Sequence, residues 1–332
     1  MINIITKYAF SKSVSGPSKV LNNTIKGLDM LGYPYVINKT LTSTKRIWIQ
    51  SGWDALPFVK RLKAKCVIGP NVALYPQEIA QYDIGKAIYL QPGPTAVSFW
   101  EILGFNQCPL MYWPVGIDTD HFIPITGEEK STVMLYHKHR PLDELNNIIN
   151  KLNHKRISFQ IVPYGAYDEE EYIDVLRKSR YCIWHGRLES QGIALQEALS
   201  CNVPMIVCDV THIGQLKHAR VEFPDSVKHI PATSIPYFSE ACGIRVTNLD
   251  ELEEAIDIME GNAKLYEPRS YVIENLSLEG QAKKLVDMWE YWGMTYCEGM
   301  HETAQSDKNF KIPKIQVLLH KILQYHLNNR ER

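Results

Sequence analysis

Residues 189–197 read ESQGIALQE. Two glutamates bracket seven residues. Gly192 follows the first closely, and the second, Glu197, interrupts an apolar run, IAL–AL. Two readings fit this spacing. In one, a loop leads into a surface helix that carries an exposed glutamate. In the other, the stretch grips hydroxyl groups. The glycine lets the backbone come close to a ligand. The amides of Gln191, Gly192 and Ile193 open a helix and face outward unpaired, a setting that favours phosphate or sugar oxygens. A carboxylate about two turns in accepts two hydrogen bonds at once from vicinal hydroxyls, as on a ribose. The spacing alone leaves the two readings level.

The flanking sequence places the stretch. YCIWHG (181–186) before it and PMIVCDV (204–210) after it read as short buried strands, so QGIALQEALSC is the helix of a βαβ unit. The same rhythm runs through the chain. INIIT (2–6) is a strand, followed by a helix with Val20, Leu21, Ile25, Leu28 and Leu31 at helical spacing and Gly32 at its end. A strand near 35–37 follows, then RIWIQS, CVIGPNV and AIYLQPG. WPVGIDTDHFIP (113–124), rich in Pro, Gly and Asp and without an amphipathic period, reads as a linker. The rhythm restarts with TVMLYH (132–137). A helix follows with Leu142, Leu145, Ile148, Ile149 and Leu152 on one stripe, then ISFQIVPYG and the helix EEEYIDVLRKS. NLDELEEAIDIMEGN, with Asn248 or Asp250 as a cap, and LSLEGQAKKLVDMWEYW (276–292) are later helices. Strands alternating with helices predict an α/β fold with open parallel sheets. A length of 332 residues predicts two domains.

Composition excludes several classes. Lys plus Arg is 36 and Asp plus Glu is 37, a net charge of −1, so no basic excess points to nucleic acid. Seven scattered cysteines without a C-x-x-C pair argue against a disulfide framework or a structural zinc site and for a reducing compartment. MINIITKYAF reads as a strand and not a signal peptide, and no apolar stretch is long enough to span a bilayer. The expectation is a cytosolic protein, attached at most to a membrane surface. Neither G-x-G-x-x-G nor G-x-x-x-x-G-K-[ST] occurs, which removes the phosphate grip of a dehydrogenase or an ATPase.

ESQGIALQEALSCNVPMIV resembles the E-x(7)-E signature of glycosyltransferase family 4. WPVGIDTDHF resembles that family's interdomain segment, and YVIENLSLEGQAKKLVDMW its closing helices. These matches run in order from 113 to 292; the N-terminal half matches only in layout. The resemblance implies GT-B, two Rossmann-like domains facing a cleft. The acceptor domain would be 1–112, the hinge 113–124 and the nucleotide-sugar domain 125–292. The last helices would pack back on the first domain, and 293–332 would be a helical tail. It implies transfer of a sugar from a nucleotide-diphosphate donor to a glycan, lipid-linked or small-molecule acceptor, with retention and without a metal or other cofactor.

By position, Glu197 would hold the donor ribose and Glu189 would lie beside the donor sugar. Gln191, Gly192 and Ile193 would offer amides. The family's basic G-R-L-x-x-x-K-G is replaced here by YHKHRP, which makes Lys138 and Arg140 the candidates to stabilise the leaving diphosphate. Tyr164, Gly165 and Tyr167 follow a strand end where the family contacts the nucleobase; the other reading has the tyrosines cover a helix start. In SGPS (15–18), Gly16 would approach the donor phosphates or the acceptor, with Ser15 or Ser18 as a cap and Pro17 in the first turn. His185 either reaches the donor sugar or packs at a strand end.

Asp118 and Asp120 in DTD are read as hinge residues and not as a metal site. The family's first-domain histidine is missing, since the first histidine is His121; Asn71 is one group that could stand in. PATSIPYFSEACG (231–243) is placed at the cleft mouth. The basic amphipathic stretch 311–332, with Ile315, Leu318, Leu319 and Ile322 on one stripe, would either dock on protein or lie on a membrane. Two other functions stay open: an epimerase or phosphorylase of the same fold, and a non-catalytic sugar-binding relic.

Overall fold

The computed structural model describes residues 1–9, 15–125, 127, 130–215 and 225–290. Cys297 and the 293–332 tail lie outside them.

The first half runs β1 (Ile2–Ile5), α1 (Gly16–Met30), β2 (Tyr35–Ile37), β3 (Arg46–Ile49), β4 (Lys65–Ile68), β5 (Ala87–Gln91), α2 (Pro94–Ile102) and β6 (Leu110–Tyr112). Its strands pair in parallel in the order β2-β1-β3-β4-β5-β6. The central runs have no polar alternation because both faces are covered; Ile47, Trp48 and Ile49 are all fully buried. Helix α1 begins where the sequence signals it. The Ser15 hydroxyl accepts from the Ser18 amide, Pro17 occupies the first turn, and Gly32 ends the element at φ +60.

The second half begins with β7 (Thr132–His137), α3 (Leu142–His154), β8 (Phe159–Pro163), α4 (Glu169–Lys178), β9 (Ser179–His185) and α5 (Ile193–Ser200). It continues with β10 (Met205–Cys208), α6 (Asp225–Lys228), β11 (Gly243–Val246), α7 (Leu252–Asn262), α8 (Pro268–Leu276) and α9 (Leu278–Glu290). The order β11-β10-β9-β7-β8 is again all parallel. Both sheets share one winding: the first strand lies between the second and the third. The chain reverses direction beside β1 in one sheet and beside β7 in the other, and ligands of such sheets bind beyond the strand ends at these points.

Two expectations change. Leu142 is 68% exposed, so the buried stripe of α3 starts at Leu145. The 113–117 stretch is no loose linker: Trp113, Val115 and Ile117 are buried, and a Cβ at Gly116 would fall 2.5 Å from Leu278 Cα. The Ile117 amide donates to the Leu276 carbonyl at 2.8 Å, and Ile117 bridges Ser277 in parallel. Here the chain crosses between the halves twice, side by side. After the second crossing α9 lies along α1, where Gly27 leaves room for the Leu278 carbonyl and Ala282. Trp289 anchors its far end, with Nε1 donating to the Lys65 carbonyl at 3.0 Å.

Six cysteines are described and all are free thiols. Among the described residues no helix is long and apolar enough to cross a membrane, and no cluster of His, Cys, Asp and Glu could hold a metal ion.

Candidate functional site

The reversal point of the second sheet falls between β7 and β9, whose last residues, His137 and His185, lie in register. Their Nδ1 atoms are 3.1 Å apart, and His185 Nε2 is 3.0 Å from Glu144 Oε2. A carboxylate only accepts, so His185 donates from Nε2 and receives His137 Nδ1–H at its other nitrogen. That leaves His137 Nε2 as an acceptor. Burial is the main cause that lowers both imidazole pKa values; Arg140 adds to it, and Glu144 opposes it. His185 is fully buried with both nitrogens engaged, the geometry of a packed strand-end residue.

Arg140 is likewise engaged within the protein. Its Nε and Nη2 bind Glu144 at 2.9 and 2.6 Å, and Nη1 donates to the carbonyls of Gly186 and Cys208 at 3.1 and 3.2 Å. The guanidinium stitches strand ends to α3. Lys138 differs: its ammonium is 2.5 Å from Glu189 Oε1 and 4.3 Å from the centroid of the Tyr164 ring.

The loop after β9 is pinned at several points. The Glu189 amide donates to the Thr233 carbonyl at 3.1 Å. The Gln191 side chain turns away from any ligand position; it accepts from the Val115 amide at 3.0 Å and donates to the Val115 carbonyl at 2.8 Å. Gln196 closes the set by donating to the Gln191 carbonyl at 2.9 Å. Any contribution of Gln191 to a ligand therefore runs through its backbone. Gly192, at φ +80, sits in the left-handed region just before α5. Its amide and that of Ile193 have no acceptor among the described residues.

Glu197 is only 2% exposed and pairs with the Lys19 ammonium from α1. Lys19 also meets Glu169 at 2.6 Å, and Glu169 meets His121 at 3.2 Å. Burial pushes the Glu197 carboxyl up to about 7, with Lys19 pulling the other way. An aromatic cluster lies within electrostatic reach of both Glu189 and Glu197. Tyr136 stacks on Trp184 at 3.9 Å and Tyr167 on Tyr172 at 5.0 Å; the Tyr167 hydroxyl reaches Tyr136 at 3.4 Å. Burial raises the pKa of both linked phenols, and Glu189 adds to the effect on Tyr136 as Glu197 does on Tyr167.

Tyr164 is 45% exposed, and the space where a Cβ would stand on Gly165 or Gly16 is open. Asn71 is tied to Gln50 at 2.9 Å. Asp118 binds Lys26 at 2.5 Å and receives the His121 amide, which fits a hinge residue. The 231–243 segment does reach the first half: the Tyr237 hydroxyl donates to the Pro92 carbonyl at 2.8 Å, and Pro236 packs beside Gly93. The sequence reading missed Lys19, Glu169, His137 and Glu144. Only Glu144 carried a local signal, four residues after Arg140 at ion-pair spacing.

No family model matches the chain, and no curated protein matches it in sequence. Solved structures do match. A sucrose-phosphate synthase from Thermosynechococcus elongatus superposes with a TM-score of 0.54 at 12% identity, over 88% of this chain and 99% of that one. The apo form of the lipopolysaccharide outer core galactosyltransferase WaaB gives 0.53 at 11% identity over the same shares, 88% and 99%. TarM gives 0.50 at 11% identity, over 80% of this chain and 57% of its own. The fold is GT-B. At these identities the likeness establishes architecture. Lys138–Glu189 stands just past the ends of β7 and β9, and Lys19–Glu197 joins the first half to the second.

Proposed function

We propose that this GT-B chain is a glycosyltransferase that moves a sugar from a nucleotide-diphosphate donor to an acceptor hydroxyl. The observation that carries the reading is the arrangement around α5. Its two uncommitted amides are flanked by two carboxylates, Glu189 held by Lys138 and Glu197 by Lys19. In this reading Glu197 accepts the ribose hydroxyls, and the amides of Gln191, Gly192 and Ile193 receive sugar and phosphate oxygens. Glu189 lies by the donor sugar. Lys138 stabilises the leaving diphosphate in place of a metal. Tyr164 and Gly165, with Tyr167, border the base. His137, whose Nε2 has no partner among the described residues, takes the sugar-side place first given to His185. The acceptor, a glycan or a lipid-linked saccharide, sits on the first half near Gly16. It attacks on the face the leaving group departs from, with retention, and gives its proton to the departing phosphate.

Titration calorimetry with UDP-, GDP- and dTDP-sugars tests this. One of them binds, and Glu197→Ala weakens that binding by roughly 10- to 100-fold, the worth of one or two hydrogen bonds to a charged group. Unchanged affinity for every nucleotide sugar removes Glu197 from the site.

A further inference from the structure

Lys19 belongs to the first turn of α1, yet both carboxylates it touches, Glu197 and Glu169, belong to the second half. Glu197 lies at a depth where an anion is costly unless a cation meets it. Among the described residues, these groups face it. Lys19 comes from α1. Glu169 comes from α4 and is itself held by His121. Tyr167, Tyr172 and Cys201 lie within electrostatic reach. Among the described residues Lys19 is the cation in direct contact with it.

The protonation state decides what Glu197 can recognise. As an acid it offers one donor and loses acceptor capacity; as an anion it accepts from two hydroxyls at once. We propose that Lys19 is a positioning residue of the donor site, holding Glu197 from across the cleft as the anion that accepts a vicinal diol. The proposal rests on the nucleotide-sugar reading of Glu197. It makes the first half part of the nucleotide site, because the carboxylate in the second half is complete only with the α1 lysine against it.

The test is calorimetric affinity for UDP and GDP from pH 6 to 9 in the wild-type chain and in Lys19→Met, Lys19→Gln and Lys19→Arg. Melting curves confirm that each variant is folded, and the Gln variant serves if Met does not fold. Wild-type affinity rises to a plateau as pH passes about 7. Without the ammonium the midpoint moves up by about one unit or more, so binding at pH 7 drops about fivefold or more and recovers toward pH 9. Arginine restores the wild-type profile. An unmoved midpoint in the Met or Gln variant overturns the proposal, as does tighter binding at pH 7, the behaviour of a competing cation. If the wild-type chain binds neither nucleotide, the donor reading fails separately. The Lys19 claim is then read from the carboxyl titration of Glu197 by 13C NMR, assigned with Glu197→Gln. Its midpoint must rise when Lys19 is removed, and an unmoved one overturns the claim.

Discussion

Burial raises the Glu197 carboxyl from 4.5 to about 7 and lowers both His137 and His185 from 6.5, so these residues give stability opposite pH slopes. Between pH 4.5 and about 7 the native state holds the Glu197 proton more tightly than the unfolded chain, so this group's contribution is lost as pH rises through that window. Glu197→Gln cannot titrate. Its stability relative to wild type therefore improves by on the order of 2–3 kcal/mol from pH 4.5 to 7.5, visible as a relative gain of several degrees in Tm. For the imidazoles the native state resists the proton, so their contribution is present above 6.5 and lost on acidification. Urea unfolding from pH 7 to 5 should show a steeper decline for wild type than for His185→Asn. The two glutamates were legible because their spacing is local and Glu197 breaks an apolar pattern. Lys19 was not, since 178 residues separate it from Glu197. The contact of Arg140 with Glu144 was not legible, because a cation after a strand end looks the same whether it faces a ligand or a carboxylate.

Elements whose ends carry chemistry were read to within a residue or two. Asp168 and Glu171 form a reciprocal cap on α4, and Gly192 turns the chain into α5 from the left-handed region. Gly192→Ala should cost about 1–2 kcal/mol in denaturant unfolding, since a side chain at that φ crowds its own carbonyl. It should also weaken nucleotide binding by reorienting the amides at the helix start. Elements without such signals were not found. Strand β6 is three residues long, β11 is four, and α2 is apolar without a clear period, so each depends on neighbours distant in sequence. Gly27 shows the same dependence, because its need for a bare Cα comes from α9. Gly27→Ala should destabilise by about 1–3 kcal/mol, because the new methyl meets the Leu278 carbonyl.

At the scale of the molecule, alternation of strand and helix announced two wound sheets, but not how they are fastened. Composition made 113–124 look like an open linker, whereas its first residues are core. Helix α9 completes the first half, burying Ala282, Leu285, Val286 and Trp289 in one cluster with Val20, Leu21 and Leu28 of α1. Burial of each large side chain there contributes about 1.5–3 kcal/mol, so losing the helix removes much of a typical domain's total stability. A chain ended at Ser277 should bind a hydrophobic dye and lose its near-ultraviolet dichroism; a native spectrum would show that α1 needs no cover. The paired crossings at Ile117 and Ser277 have a mechanical consequence. One strand of chain between two bodies lets them swivel freely, whereas two bonded side by side act as a flat strap, soft to bending and stiff to torsion. Any parting of the halves would then follow one arc, and would return the α1 lysine to the same carboxylate.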